Sequence, residues 1–186
     1  AEAMSASTLH LSRGDFDAYL PERATSNAYS RPRIEVKQRA LSWAKDVASR
    51  LAEEGVPAEI HASDEHPTLR NKKRVDCQWV VFWRDEGARE ELERLLDQGR
   101  PLAEAIDDPS PHTRHAFLAL RIDAAVLEVS FVLHPDAKVD VDNLRARLAS
   151  NDDDALVSEL TRALHDLPEQ FSIGVGSEER VACASA

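Results

Sequence analysis

Four side chains, His112, His115, His134 and Asp136, are the grouping in this sequence best suited to chemistry. Imidazole and carboxylate ligands at the ends of paired strands can converge on one divalent ion, and such an ion would serve a hydrolase acting on a phosphorylated substrate. The spacing is loose. His112 and His115 flank a loop-to-strand junction, and a three-residue interval forces two side chains onto one face only in a helix. Surface or capping histidines are the commoner meaning of such a set. A second chemistry comes from Arg70, Lys72, Lys73 and Arg74 beside Asn71, with Arg31, Arg33, Lys37 and Arg39 around the start of a long helix. If the two groups meet, Arg forks would hold phosphate oxygens in bidentate fashion, which suits a phosphorylated substrate, a nucleotide or RNA. A third set is Asp76 and Gln78 on one predicted strand and Glu128, Ser130 and His134 around another, each opposite its strand's apolar stripe. Together they predict a polar sheet face, either solvated or a binding floor. Asp76 and Glu128 would be acid and base were the chain an enzyme, but nothing in the sequence sets their separation. Ser130 lacks the flanking glycines of a nucleophile elbow.

The elements that must position these residues are legible from periodicity. Val36, Ala40, Trp43, Ala44, Val47 and Leu51 recur every three or four residues and predict an amphipathic helix from Arg33 to Glu54, ended by Gly55 and Pro57. Ala58 to Ala62 predicts a first strand and Val75 to Trp83 a central one, with Val75, Cys77, Trp79, Val81 and Trp83 on one face. Those tryptophans, with Trp43, read as core or as an aromatic pocket, core being the commoner use of such large rings. A short helix follows over Glu86 to Asp97, then a connection punctuated by Gly99, Pro101, Pro109 and Pro111. A hairpin at about 114–134 has Leu127, Val129, Phe131 and Leu133 alternating with Glu128 and Ser130, which predicts one buried face. Two C-terminal helices are expected, with Leu144 and Leu148 of the first facing inward, then a strand over Gln170 to Val175.

Length and composition set the outer bounds. A chain of 186 residues is ordinarily one domain and removes about 70% of its surface from water on folding. Two cysteines, Cys77 and Cys183, are too few for a disulfide framework, which suits a reducing cytoplasm. Charged residues interrupt every apolar run well short of the ~20 residues that cross a bilayer, and no signal peptide is visible. The single methionine, Met4, predicts that the natural chain begins there. Net charge is −11 and lies in the second part, where residues 85–186 hold 10 Lys+Arg against 22 Asp+Glu. Such a surface repels nucleic acid at long range, so a polyanion site would have to be a local basic patch.

The order of segments resembles the YktB-like family of uncharacterised bacterial proteins. The similar pieces are RPRIEVKQRALSWAKDVASRLAEEG (Arg31 to Gly55), WVVFWRDEGAR (Trp79 to Arg89), HAFLALRIDAAVLEVSFVLHPDAK (His115 to Lys138) and LHDLPEQFSIGV (Leu164 to Val175), with DFDAY (Asp15 to Tyr19) like the family's opening segment. The resemblance implies an α+β sandwich with an antiparallel sheet and supplies no activity. Its alignment is least defined at Arg70 to Arg74 and over Gln98 to Arg114.

The reading that joins these observations is an α+β two-layer sandwich, a mostly antiparallel sheet covered on one face by helices. An irregular N-terminal arm is expected over residues 5–32, a single domain over 33–175 and a disordered tail over 176–186. The favoured function is a non-catalytic binding or regulatory module that engages another macromolecule, a protein before a nucleic acid, through the uncovered sheet face, its loops or the arm. No cofactor and no membrane are expected. The alternatives are a metal-dependent hydrolase of a phosphorylated substrate and an RNA-binding protein.

Overall fold

The computed structural model describes residues 7–96, 111–150, 154–176 and 178–185. The connection carrying Gly99, Pro101 and Pro109 lies outside them. The fold is α+β. Its contacts divide the chain into two compact units, one reaching Asp140 and one beginning at Val141, where a single domain is expected over 33–175.

The first unit is built on a four-stranded antiparallel sheet in the order β1 (Glu59–Ala62), β2 (Cys77–Trp83), β3 (Phe117–Asp123), β4 (Leu127–Val132). A 24-residue helix, α2 (Ser30–Glu53), packs across β1 and β2. Val36, Ala40 and Ala44, one every fourth residue, are the buried line of this helix and meet Val80, Phe82, Leu120 and Ile122 of the sheet. Alanine at two of these three positions lets helix and sheet approach closely, and removing these side chains from water supplies the main driving force for docking. The helix stops at Gly55, whose φ of +81° is left-handed, a conformation glycine adopts without a Cβ penalty. The N–H of Val56 then donates to Leu51 O at 2.7 Å and satisfies one of the helix's last carbonyls.

The N-terminal segment is part of this core, not an arm laid over it. A short helix, α1 (Arg13–Asp17), starts with a capping box in which Ser12 N–H donates to the Asp15 carboxylate at 2.6 Å. Beyond it Ala18 and Tyr19 are buried in one cluster with α2 and the sheet, and Ala24 is buried as well. Arg33 holds the segment in place. Its side chain is 0% exposed and donates to the carbonyl oxygens of Ala18 (3.3 Å), Glu65 (3.2 Å), Arg23 (2.8 Å) and Ser26 (2.8 Å). Five fixed N–H donors let guanidinium tie two separate loops to one helix, which no other side chain can do. Arg39 adds a second tie, donating to His10 O at 2.9 Å and forming an ion pair with Asp15.

The first unit also holds 3-10 turns at Asn27–Tyr29 and Pro111–Arg114, α3 (Glu86–Leu96) and the start of α4 (Lys138–Ala149). The second unit holds the remainder of α4, α5 (Asp154–His165) and a two-stranded ribbon of β5 (Ser172–Val175) and β6 (Glu178–Ala182). Residues expected to form a disordered tail are therefore a strand paired with β5, followed by a buried Cys183 whose N–H donates to Phe171 O at 3.0 Å. Leu144 and Leu148, expected to face inward, are exposed. Among the described residues no helix is long and apolar enough to cross a membrane.

Candidate functional site

The strand register places three apolar rows across the side of the sheet that receives α2. One runs Ile60, Phe82, Leu118, Phe131, the next Ala62, Val80, Leu120, Val129, and the third continues from Ile122 to Leu127. The rows stay apolar to the last strand, but their burial does not. Val80, Leu120 and Ile122 are essentially inaccessible, whereas Leu127 is 43%, Val129 44% and Phe131 67% exposed. Strands about 4.8 Å apart spread a four-stranded sheet over roughly 14 Å between its outer members, and one helix of about 10 Å diameter covers only two or three of them. With α2 seated on β1 and β2, β4 is the strand left over. The buried hairpin face expected from the alternation is thus buried on β3 and open on β4.

The opposite side of the sheet is not the open polar floor that the sequence predicts. Val81, Phe117 and Ala119 form a second buried cluster there, flanked by Trp79, Trp83 and Val132. Trp43 packs on the other side, edge-on to Phe82 at 6.1 Å, so the three tryptophans line no common pocket. The four polar residues assigned to one face are separated by the register. Gln78 pairs with Ile122 on the α2 side, while Glu128 pairs with Arg121 and Ser130 with Ala119 on the tryptophan side. Gln78 is fully buried and its amide donates to Ser63 O and Ser63 Oγ, both at 3.0 Å, which makes it a tie between β2 and the loop after β1. Asp76 lies before β2 and pairs with Arg74 at 2.9 Å.

The histidine set does not converge. No group of three or more His, Cys, Asp and Glu side chains among the described residues is placed to hold a metal ion. His134 and Asp136 belong to one turn, where Asp136 N–H donates to His134 Nδ1 at 3.1 Å. His112 stacks edge-on with Phe117 at 5.0 Å, and His115 edge-on with Trp83 at 5.7 Å. Spacing along the chain could not reveal this, because the fold decides which group each imidazole meets, Phe117 for His112, Trp83 for His115 and Asp136 N–H for His134.

His115 is nonetheless unusual. It is fully buried, neither ring nitrogen has a hydrogen-bond partner among the described residues, and the Glu93 carboxylate is 3.7 Å from Nε2. Burial depresses its pKa below the usual histidine range, and the nearby Arg84 cation adds to that, against smaller opposing effects of Glu93 and Asp140. Arg84 is itself paired with Asp140, which also accepts Ala116 N–H at 2.7 Å. Burial raises the Asp140 carboxyl, but these hydrogen bonds outweigh it and hold the group below the ordinary carboxylate range. Because folded His115 binds its proton less readily than the unfolded chain does, stability is present above pH ~6.5 and falls as pH drops below it. His115→Leu is expected to flatten the loss of unfolding free energy between pH 7 and 5, read by urea denaturation across pH. A residual slope should remain, since burial also depresses His61.

The two basic groups do not make one phosphate site. Arg33 is turned inward onto carbonyls, and Arg31 pairs with Glu35 at 3.4 Å within its own helix. Where the loop after β1 meets α2, the contact is an ion pair, with Glu65 bound to Lys37 at 2.6 Å. The loop itself is firmly built. Asn71 Oδ1 accepts from Thr68 N–H at 2.7 Å and Arg74 N–H at 3.2 Å, and Asn71 Nδ2 donates to His66 O at 2.7 Å. Lys72 and Lys73 both adopt φ of +56°, left-handed conformations that cost L-residues energy and are held here by the Asn71 turn. Leu69, Arg70, Lys72 and Lys73 are displayed on it, while Arg74 is occupied by Asp76.

Leu127, Val129 and Phe131 were legible as a stripe but not as a surface. The available signal was the mismatch between four strands and the single long helix that precedes them. No family model, curated protein or solved structure matches the chain.

Proposed function

We propose that this chain is a non-catalytic protein-binding module whose binding surface is the open apolar side of β4. One observation carries the reading: the core rows of the sheet run onto an edge strand and are exposed there as Leu127, Val129 and Phe131. A contiguous apolar surface beside strand N–H and C=O groups that no described strand pairs suits an extended segment of a partner chain, which adds main-chain hydrogen bonds while its side chains cover the stripe. The hydrolase reading loses its metal, because His112, His115, His134 and Asp136 do not come together. The RNA reading loses Arg31 and Arg33 and keeps Arg70, Lys72 and Lys73 against a net charge of −11. Likeness to the YktB-like family remains a proposal resting on the segments quoted for it.

Site-specific photocrosslinking in the native host tests the reading. A photoreactive phenylalanine in place of Phe131 is expected to yield protein adducts, identified by mass spectrometry. The same group in place of the exposed Leu69 serves as control. Adducts at position 131 no more abundant than at position 69 would overturn the proposal.

A further inference from the structure

We propose that the partner of β4 is β4 of a second copy of this chain, antiparallel, with Val129 opposite Val129 on a two-fold axis perpendicular to the sheet. The inference rests on the binding reading above and names its occupant.

The hairpin sets which backbone groups are free. Asp123 N–H donates to Val126 O at 3.0 Å, so residues 123 and 126 are a hydrogen-bonded pair. Alternation along antiparallel strands then makes Arg121 with Glu128, and Ala119 with Ser130, the next hydrogen-bonded pairs. Glu128 and Ser130 spend their main-chain groups on β3. Leu127, Val129 and Phe131 direct theirs at the outer edge, where among the described residues no strand pairs. The same three residues thus present a bonding edge and an apolar side. Native edges are blunted by lysine, proline, bulges or short length. The Leu127–Val132 strand has no lysine or proline, and its register with β3 is uninterrupted. The other edge is different, because β1 is only four residues long and its first residue, Glu59, is held by Arg89 at 2.6 Å and by Glu86 N–H at 2.8 Å.

Register selects the second copy. A two-fold axis perpendicular to the sheet keeps like faces on one side only if paired residues have the same parity. Centring on Glu128 opposes two carboxylates, which is unfavourable. Centring on Ser130 pairs Glu128 with Val132 and leaves Leu127 without a partner inside the strand. Centring on Val129 places Leu127 opposite Phe131 of the second copy, and the reverse. It also places the Glu128 carboxylate opposite the Ser130 hydroxyl, an acceptor facing a donor. This register joins all six apolar side chains into one cluster, sets no like charges against each other and uses every free main-chain group of Leu127, Val129 and Phe131. The strand is complementary to itself in that alignment. Such an interface is small, so association is weak and depends on concentration.

Register-specific disulfide trapping tests it. In the full chain with Cys77 and Cys183 replaced by Ser, the Glu128→Cys and Ser130→Cys proteins are prepared separately, then mixed with oxidised glutathione. Residues 128 and 130 of opposite copies form non-hydrogen-bonded pairs with Cβ atoms about 4.5–5.5 Å apart, close enough for a disulfide after small adjustment. The mixture is expected to give covalent dimers, and each protein alone few or none. Equal trapping with and without mixing overturns the register. Sedimentation equilibrium on the unmodified chain gives a second reading: a dimer fraction that rises with concentration and is lost in Val129→Lys. A chain that stays monomeric throughout overturns the second-copy assignment. If that monomer still forms adducts with other proteins from position 131, the binding reading stands without it. No protein adduct at 131, self-adducts included, overturns both.

Discussion

Replacing Arg33 with alanine is expected to lower the unfolding free energy by about 3–5 kcal/mol, measured by urea denaturation. The size follows from what is left behind. Four carbonyl oxygens, of Ala18, Arg23, Ser26 and Glu65, lose a charged donor at once. The first three belong to the N-terminal segment, so Ala18, Tyr19 and Ala24 lose the tie that holds them in the core. Domains of this size are stable by only about 5–15 kcal/mol, and the variant would sit near the threshold of unfolding. Arg33→Lys keeps the charge, but a single ammonium with three donors cannot span four carbonyls, so it should recover only part of the loss. A loss under about 1 kcal/mol in Arg33→Ala would mean that the segment is not anchored through this residue. Tyr19 gives the contrast. Its hydroxyl is buried and has no hydrogen-bond partner among the described residues, and burial pushes the phenol well above its ordinary pKa. Tyr19→Phe is therefore expected to be neutral or mildly stabilising in the same assay.

Leu120→Ala is the second large effect, with an expected loss of about 2–5 kcal/mol. Leu120 lies at the middle of β3, 1% exposed, between Val80 and Val129 in one row of the sheet. Truncation leaves a void that the α2 layer and the flanking strands can close only partly. Val129→Ala, one strand further along the same row, is expected to change stability by no more than about 0.5 kcal/mol in dilute solution. The contrast between directly paired residues locates where the core ends.

The parts of this fold that were legible are those whose signal is local. The line of Val36, Ala40 and Ala44 announced α2, and the alternation through Leu127 and Phe131 announced a hairpin, because both periods are set by backbone geometry alone. What was not legible depends on pairings between distant segments. Gln78 and Glu128 were each placed opposite an apolar stripe, but which stripe met α2 depended on the register between β2, β3 and β4. Arg33 looked like a phosphate ligand because arginine is rarely buried. Its actual partners are main-chain carbonyls, which leave no mark in a sequence. Likewise Glu178–Ala182 has no strong alternation and reads as tail, and its pairing with Ser172–Val175 is what makes it a strand.

For the candidate site, residue types were visible and convergence was not. His112, His115, His134 and Asp136 have the right donors for a metal, yet turn geometry and ring packing assign each elsewhere. The surface that remains, on β4, was hidden because an apolar alternation says which side of a strand avoids water, not whether enough chain is available to cover it.

The measurement that tests this account most directly is the unfolding free energy, in dilute solution, of the triple variant Leu127→Thr, Val129→Thr, Phe131→Thr. Threonine keeps strand propensity while removing the apolar surface. If the side chains are as open as their exposure indicates, stability is expected to stay within about 1 kcal/mol of the parent chain. A loss of several kcal/mol, the signature of emptied core sites, would show that this side of β4 is already covered and would contradict the account.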